Sequence, residues 1–404
     1  MQSSVKKVLW VVVSAGALLI AIVISYALGA RHHVSSIVAS GSDVNATTGQ
    51  IVINPQFDEA QDFNEGFAAV RIGDDKTGKW GYINKSGRYV INPQFDWAGE
   101  FSEGLASVRI GDDRTGRYGY IDVSGRYVID PQFESASEFH EGLAEVRVGD
   151  EKTGKWGYID TAGKYVINPQ FDWTSEFHEG LASVRLGDDK TGKYGYIDKS
   201  GKYVINPQFD SADSFADGLA EIRIGNPETG KWGYIDKSGK IVINPQFGGG
   251  NYFIFHGNGM TPIGAFCEER AAVRVGDEKT GKWGYIDKTG KMVVDAQFDD
   301  VSPFSEGLAA IRIGSDKTGK YGYIDKVGKY VINPQFDWTY GFNQGLAVVR
   351  IGDSETGKNG YIDKSGKIVI NPQFDNTGWF ASGAFTKDTL ALVKIAGKYG
   401  YIAR

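Results

Sequence analysis

"LASVRIGDDRTGRYGYIDVSGRYVIDPQF" occupies residues 105–133 and holds the pattern from which most of the chain is made. In its first part Ala106, Val108 and Ile110 fall on one side and Leu105, Ser107 and Arg109 on the other, a period of two that belongs to a strand. A "GDDRTG" turn follows, then "YGYID" (118–122), the turn "VSG" and "RYVID" (126–130). Short β-rich runs joined by glycine-containing turns predict a three-stranded antiparallel meander, in which Gly125 supplies the positive φ of a bulged turn. Pro131 has no N–H to give to a ladder and is expected to close the third strand. The polar stretch "ESASEFHEG" (134–142) leads onward, with room for at most one short helical turn.

The unit recurs. "NPQF" begins at 54, 92, 168, 206, 244, 333 and 371, "DPQF" at 130 and "DAQF" at 295, so every step along the chain is equal except the longer one from 244 to 295. "GYI" follows the same beat from 81 to 400. A fixed period of this length marks an array in which each unit buries its apolar side against its neighbours. A longer beat, spanning two units, overlies it: Trp80 leads to Trp97 and Trp156 to Trp173, whereas Tyr118 leads to Ser135 and Tyr194 to Ser211.

"GDDKTGKW" (73–80) begins as a phosphate-binding loop would, G-x-x-x-x-G-K. The pattern appears eight times, always between two strands, and Trp, Tyr or Asn stands where a nucleotide site needs Ser or Thr. Without a helix N-terminus behind it, the loop is a hairpin connection, and no nucleotide is expected. The acids of these loops lack the staggered ligands of a calcium loop. Fifty acids against 44 bases give a net charge of −6 with no basic block, so nucleic acid is not expected as a partner. One cysteine, Cys267, rules out an internal disulfide.

The N-terminus is of a different kind. After Lys6 and Lys7, residues 8–30 run without a charge, long enough to cross a hydrocarbon core of about 30 Å. Residues 1–7 are therefore expected in the cytoplasm, 8–30 as a transmembrane signal anchor, 31–49 as a polar spacer, and the array 50–404 outside the cytoplasm. The alternative is a signal peptide cleaved near "ALG" (27–29), which would release a secreted or periplasmic protein.

"KWGYIDKSGKIVINPQF" (231–247) resembles the WG-repeat, or KWG-repeat, family of bacterial proteins, and similar units cover about 50–404. Tyr replaces the tryptophan at 118, 194, 321 and 399, and Asn at 359. The resemblance implies an all-β tandem array in proteins that are often exported, with no catalytic residue to carry over. The array starts at 50 with a third strand only and ends with "LALVKIAGKYGYI" (390–402), which supplies the first two. Pairing these pieces would close a propeller-like ring. Nine three-stranded blades would make an unusually large ring, so the expected arrangement is an open β-solenoid or superhelix, with the closed ring as the alternative.

Candidate sites are few. His140 and His178 share a repeat position with Asn64, Ser102 and Ser305, an exchange that a catalytic residue would not tolerate. No Ser-His-Asp or metal-ligand spacing is present; no enzyme activity, cofactor or metal is expected. Arg71, Arg109 and their equivalents up to Arg350 share a strand face and are expected to pair with acids such as Asp122 and so space the units, with an anion groove as the alternative. Trp97, Trp173 and Trp338 follow "FD" outside the strands and could pack between units, stack on sugar or anchor a protein. The insertion at 248–270 accounts for the one longer step and carries Tyr252, Phe253, Phe255, His256 and Phe266. The candidate partner-binding residues are thus Trp97, Trp173, Trp338, Tyr252, Phe253, Phe255 and His256. The expected function is a membrane-anchored extracytoplasmic scaffold for protein–protein interaction, where many equivalent contacts add by avidity. The alternative is a cell-wall or polysaccharide-binding module, with envelope glycan as partner.

Overall fold

The register of the strands explains the letters of the repeat. In the computed structural model, which describes residues 48–248, 253–256, 259–262, 264–277, 279–376 and 389–404, Leu105–Ile110 pairs antiparallel with Arg117–Asp122, and that strand with Tyr127–Phe133. The third strand does not end at Pro131. Tyr118 faces Phe133 and Tyr120 faces Ile129, so the chain bulges at the proline and continues. It can do so because this strand is the sheet edge, where a missing donor leaves nothing unpaired. The bulge presses on Gly119, whose added Cβ would lie 2.5 Å from Ile129 O and 2.6 Å from Pro131 N; Gly81, Gly157 and Gly195 meet the same wall. This close approach is why glycine stands in the middle of "WGY".

Seven of the nine repeat sheets also have a strand that the sequence did not reveal. No helical turn opens the polar linker. Ser135–Ala136, two residues long, pairs instead with the next long strand, Ser135 opposite Arg147. Blades 1 to 5 are four-stranded over 59–95, 97–133, 135–171, 173–209 and 211–247; blade 6 (271–298) has three strands, and blades 7 (300–336) and 8 (338–374) have four. Blade 9 joins the two ends of the array: Ile51–Phe57 pairs with Lys398–Ala403, which pairs with Leu390–Ile395.

The arrangement is therefore a closed nine-bladed β-propeller, and the expectation of an open solenoid is corrected. The partial unit at 50 is the rim strand of the last blade. In an open array that strand and the last "KYGYIA" strand would each have left a bare edge, which pairing removes. Neighbouring blades meet at the short-strand edge, where Ser102 Oγ donates to Phe139 O at 2.7 Å, whereas Tyr127 and Val128 at the other edge are exposed. Short strands thus line the axis and bulged strands the rim. The anchor segment 8–30 lies outside the described residues, among which no helix is long and apolar enough to cross a membrane.

The core sits between blades. Leu181, Tyr196, Ile205 and Phe209 of blade 4 pack with Phe215, Ala220, Ile222 and Ile235 of blade 5. Polar links repeat at the same seams. The "GYI" tyrosine, fully buried, donates its hydroxyl to the inner segment of the next blade: Tyr158 to Ser175 O at 2.8 Å and Tyr196 to Asp213 O at 2.7 Å. Lys155 pairs with Asp172 at 2.5 Å, and Asp172 also accepts from Gly187 N in the following blade at 2.8 Å. Glu141, in the left-handed region at φ 52°, turns its carboxylate to Gly180 N and to Lys199 Nζ. Replacing Tyr158 with Phe leaves the Ser175 carbonyl buried without its partner and is expected to cost about 1–3 kcal/mol, read as a lower thermal midpoint. The same change at the rim residue Tyr165 is expected to cost little.

Candidate functional site

One row of side chains crosses every blade a single pair short of the "GDD" hairpin loop. In blade 2 it reads Trp97, Arg109, Tyr118; in blade 3 Ser135, Arg147, Trp156. The arginine lies over the ring beside it, at 5.8 Å for Arg109 on Tyr118 and 5.6 Å for Arg147 on Trp156, a cation–π contact. In blades 1, 2, 4 and 7 it also pairs with the acid four residues on, inside its own hairpin, as in Arg109–Asp113 and Arg185–Asp189. The expectation that these arginines pair with Asp122 and its equivalents and space the units is corrected. Asp122 instead caps its own turn, accepting from Ser124 N at 2.9 Å and Arg126 N at 3.1 Å, and the lysines bridge the units. The loop amides that a phosphate would need are taken as well, for Asp112 accepts from Arg114 N and Thr115 N at 2.8 Å each.

The rows follow a rule that the two-unit beat only hinted at. Seven of the nine tryptophans lie in them, one each in blades 1 to 6 and 8; the remaining two, Trp10 and Trp379, are outside the described residues. The tryptophan stands on one side of the arginine or the other. In blade 8, where Asn359 replaces it on the outer side, Arg350 lies 5.6 Å from the ring of Trp338 on the inner side. Blade 7 has Asp300, Arg312 and Tyr321 and no tryptophan. There Tyr321 Oη donates to Asp300 Oδ2 at 2.7 Å, and burial raises both of their pKa values.

Over that row opens a groove of about 1160 Å³. Arg274 and Trp283 of blade 6 and Trp338 and Tyr340 of blade 8 stand on either side of Asp300, Arg312 and Tyr321. Of the sequence candidates, Trp338 lines this groove, with Tyr340 edge-on at 3.9 Å. Trp97 and Trp173 hold the same position in blades 2 and 4, each edge-on to a tyrosine of its own row, and Trp173 is 37% exposed. The three are not neighbours, since blade 3 and blades 5 to 7 intervene. Phe253, Phe255 and His256 lie on the strand Phe253–His256, paired with Gly259–Pro262; Tyr252 lies outside the described residues. Phe266 belongs to the core and not to the insertion, edge-on to Tyr234 at 5.0 Å. Burial pushes the Cys267 thiol up to about 11. His140 and His178 both approach Glu176, at 3.3 and 3.7 Å.

The inner edge is uneven in charge, which sequence reasoning missed although the period displays it. Asp62, Glu100, Glu138 and Glu176 occupy one repeat position in blades 1 to 4; Ser214, Ala265, Pro303 and Gly341 follow in blades 5 to 8. Burial pushes Asp62 up to about 8 and Glu100, which also feels Glu138 and Asp62, up to about 9. Burial carries Glu138 to about 7 and Glu145 to about 8. In blade 5 burial raises both Asp213 and Glu221, and the nearby Asp213 raises Glu221 further. These groups hold protons in the folded ring that the unfolded chain releases, so their stabilisation is complete below about pH 4 and is lost as pH climbs to about 9. Asp58 and Asp375, held low by Lys398 and Lys358, act oppositely and weaken the ring below about pH 4. The thermal midpoint is expected to drop by about 5 °C or more between pH 5 and pH 9, and the double variant Asp62→Asn, Glu100→Gln to flatten that slope. A midpoint that rises with pH would exclude this account.

The family described as "WG containing repeat" matches at residues 45–76, 80–112, 118–151, 156–190, 194–226, 232–259, 283–317, 321–354 and 360–399. No curated protein matches the chain in sequence. Among solved structures it is similar to a prolyl endopeptidase (TM-score 0.44, 11% identity, 78% of this chain and 50% of that one). It is also similar to the acylaminoacyl peptidase of Pyrococcus horikoshii (0.38, 7%, 78% and 57%) and to the tricorn protease (0.27, 12%, 85% and 37%). The chain spans about half the length of the first two, and likenesses this distant carry no statement about activity. Nine matches, one to each turn of the repeat, place the chain in the WG containing repeat family.

Proposed function

We propose that the ring is a non-catalytic scaffold, tethered at the outer side of the cell membrane by residues 8–30, which binds a protein partner in the groove over blade 7. The observation that carries this reading is the composition of the groove, where Trp283, Trp338, Tyr321 and Tyr340 stand with Arg274 and Arg312. Tryptophan, tyrosine and arginine are the side chains that dominate protein-binding hot spots. At about 1160 Å³ the groove also exceeds the usual small-molecule pocket. The insertion at 248–270 enters just before blade 6, which forms one wall, and would extend the same surface. Glycan binding is the second reading, favoured by the exposure of Trp173. Separation of the three candidate tryptophans into blades 2, 4 and 8 weakens it, because one sugar chain would not meet them in succession.

Co-sedimentation of the full chain in mild detergent with isolated cell envelope, before and after protease has stripped the envelope proteins, separates the two. Loss of binding on stripping, together with an affinity about 10-fold weaker for Trp338→Ala, is the expected result. Binding that survives stripping would replace the protein partner by a glycan, and no binding to either envelope would sink both.

A further inference from the structure

The groove opens where the row rule fails. In blade 2 the indole of Trp97 fills the place beside Arg109 and meets Tyr118 edge-on at 5.6 Å; in blade 4 Trp173 does the same beside Arg185 and meets Tyr194 at 5.5 Å. Blade 7 keeps the arginine and the tyrosine of that arrangement, Arg312 and Tyr321, but sets Asp300 where the indole belongs. An aspartate fills far less space, and the neighbours on both sides, Trp283 and Trp338, remain as aromatic walls.

We propose that blade 7 takes a tryptophan side chain from the partner, seated in the place that Trp97 and Trp173 occupy in their own blades. This rests on the groove being the partner site. The ring of the incoming residue meets Tyr321 as Trp97 and Trp173 meet Tyr118 and Tyr194, and the guanidinium of Arg312 lies beside its face as Arg350 lies over Trp338. Its N–H donates to Asp300, whose carboxylate has lone pairs to spare after accepting from Tyr321 Oη and Val301 N. That acceptor distinguishes tryptophan from phenylalanine and leucine, since only the indole satisfies it without water. A groove of about 1160 Å³ has room for backbone on both sides of the indole, so the ligand is a chain segment and not a free amino acid.

Calorimetric titration of the full chain with acetyl-Gly-Ser-Trp-Ser-Gly-amide, and with the same peptide carrying Phe or Leu, tests the seat. The tryptophan peptide is expected to bind about 10-fold more tightly than the leucine peptide. Asp300→Trp rebuilds the row of blade 2, so it is expected to weaken the tryptophan peptide at least about 10-fold while leaving the thermal midpoint unchanged or higher. Asp300→Leu removes the acceptor with little added bulk and is expected to erase the preference for Trp over Phe. Equal affinity for the Trp and Leu peptides, or full affinity in a folded Asp300→Trp protein, overturns the proposal. Should Trp338→Ala abolish binding of an envelope protein and Asp300→Trp leave it intact, the partner site stands and the tryptophan seat falls. Envelope binding that survives protease removes the protein partner itself.

Discussion

A single hydroxyl, buried at each seam, sets the geometry of this ring. The tyrosine of "GYI" lies fully buried in the long strand next to the rim, and its oxygen must find an acceptor or cost the fold the full penalty of an unpaired buried group. The acceptor is a carbonyl of the next blade's inner segment, Gly99 for Tyr82, Ser137 for Tyr120, Ser302 for Tyr285. A tyrosine satisfied in this way requires a successor to its blade. For Tyr401 that successor is blade 1, where Gln61 O, 340 residues back, accepts at 2.7 Å. Lys398 reaches Asp58 across the same seam, as Lys155 reaches Asp172 within the array. Closure thus uses the ordinary interface of the repeat, and the ends need no capping units.

The meander, its turns and its period were legible because they depend on local chemistry: alternation, glycine at positive φ, and a fixed beat along the chain. The half-unit at each end was legible too. Choosing between solenoid and ring was not, because that choice rests on an inner strand that is two residues long in six blades and set in polar sequence such as "ESASEF". With that strand on the axis, the wide end of each blade lies at the rim, and nine blades close into a ring. Pro131 misled for a related reason. A proline ends a central strand but not an edge strand, and which strand is the edge is a tertiary fact.

The candidate site was half visible. Trp338 belongs to the groove, and the alternation of tryptophans was plain in the sequence. What it meant was not, because Trp97 and Tyr118 are far apart in the chain and become neighbours only through Arg109. Once the register is known, the sequence alone identifies the two rows without a tryptophan, blade 9 by Asn376, Lys394 and Tyr399, and blade 7, which keeps its arginine, by Asp300 and Tyr321. The acids on the axis show the same limit: Asp62, Glu100 and Glu138 recur openly at one position, but their mutual approach follows from the blades converging there.

A repeat ring divides its residues by necessity. Positions on which a seam or a bulge depends, the tyrosine of "GYI" and the glycine beneath the proline, cannot change in one blade without leaving a buried group unmatched or a backbone crowded. Positions that touch one neighbour or solvent can differ from blade to blade without affecting closure. The first member of each row is of this kind, running Glu59, Trp97, Ser135, Trp173, Ser211, Gly248, Asp300, Trp338 and Asn376, as is the axial series from Asp62 to Gly341. A ring whose seams are alike distinguishes one direction from another only through such positions. The blade where row and walls disagree most, with an aspartate between two tryptophans, is therefore where a specific partner has the most to recognise.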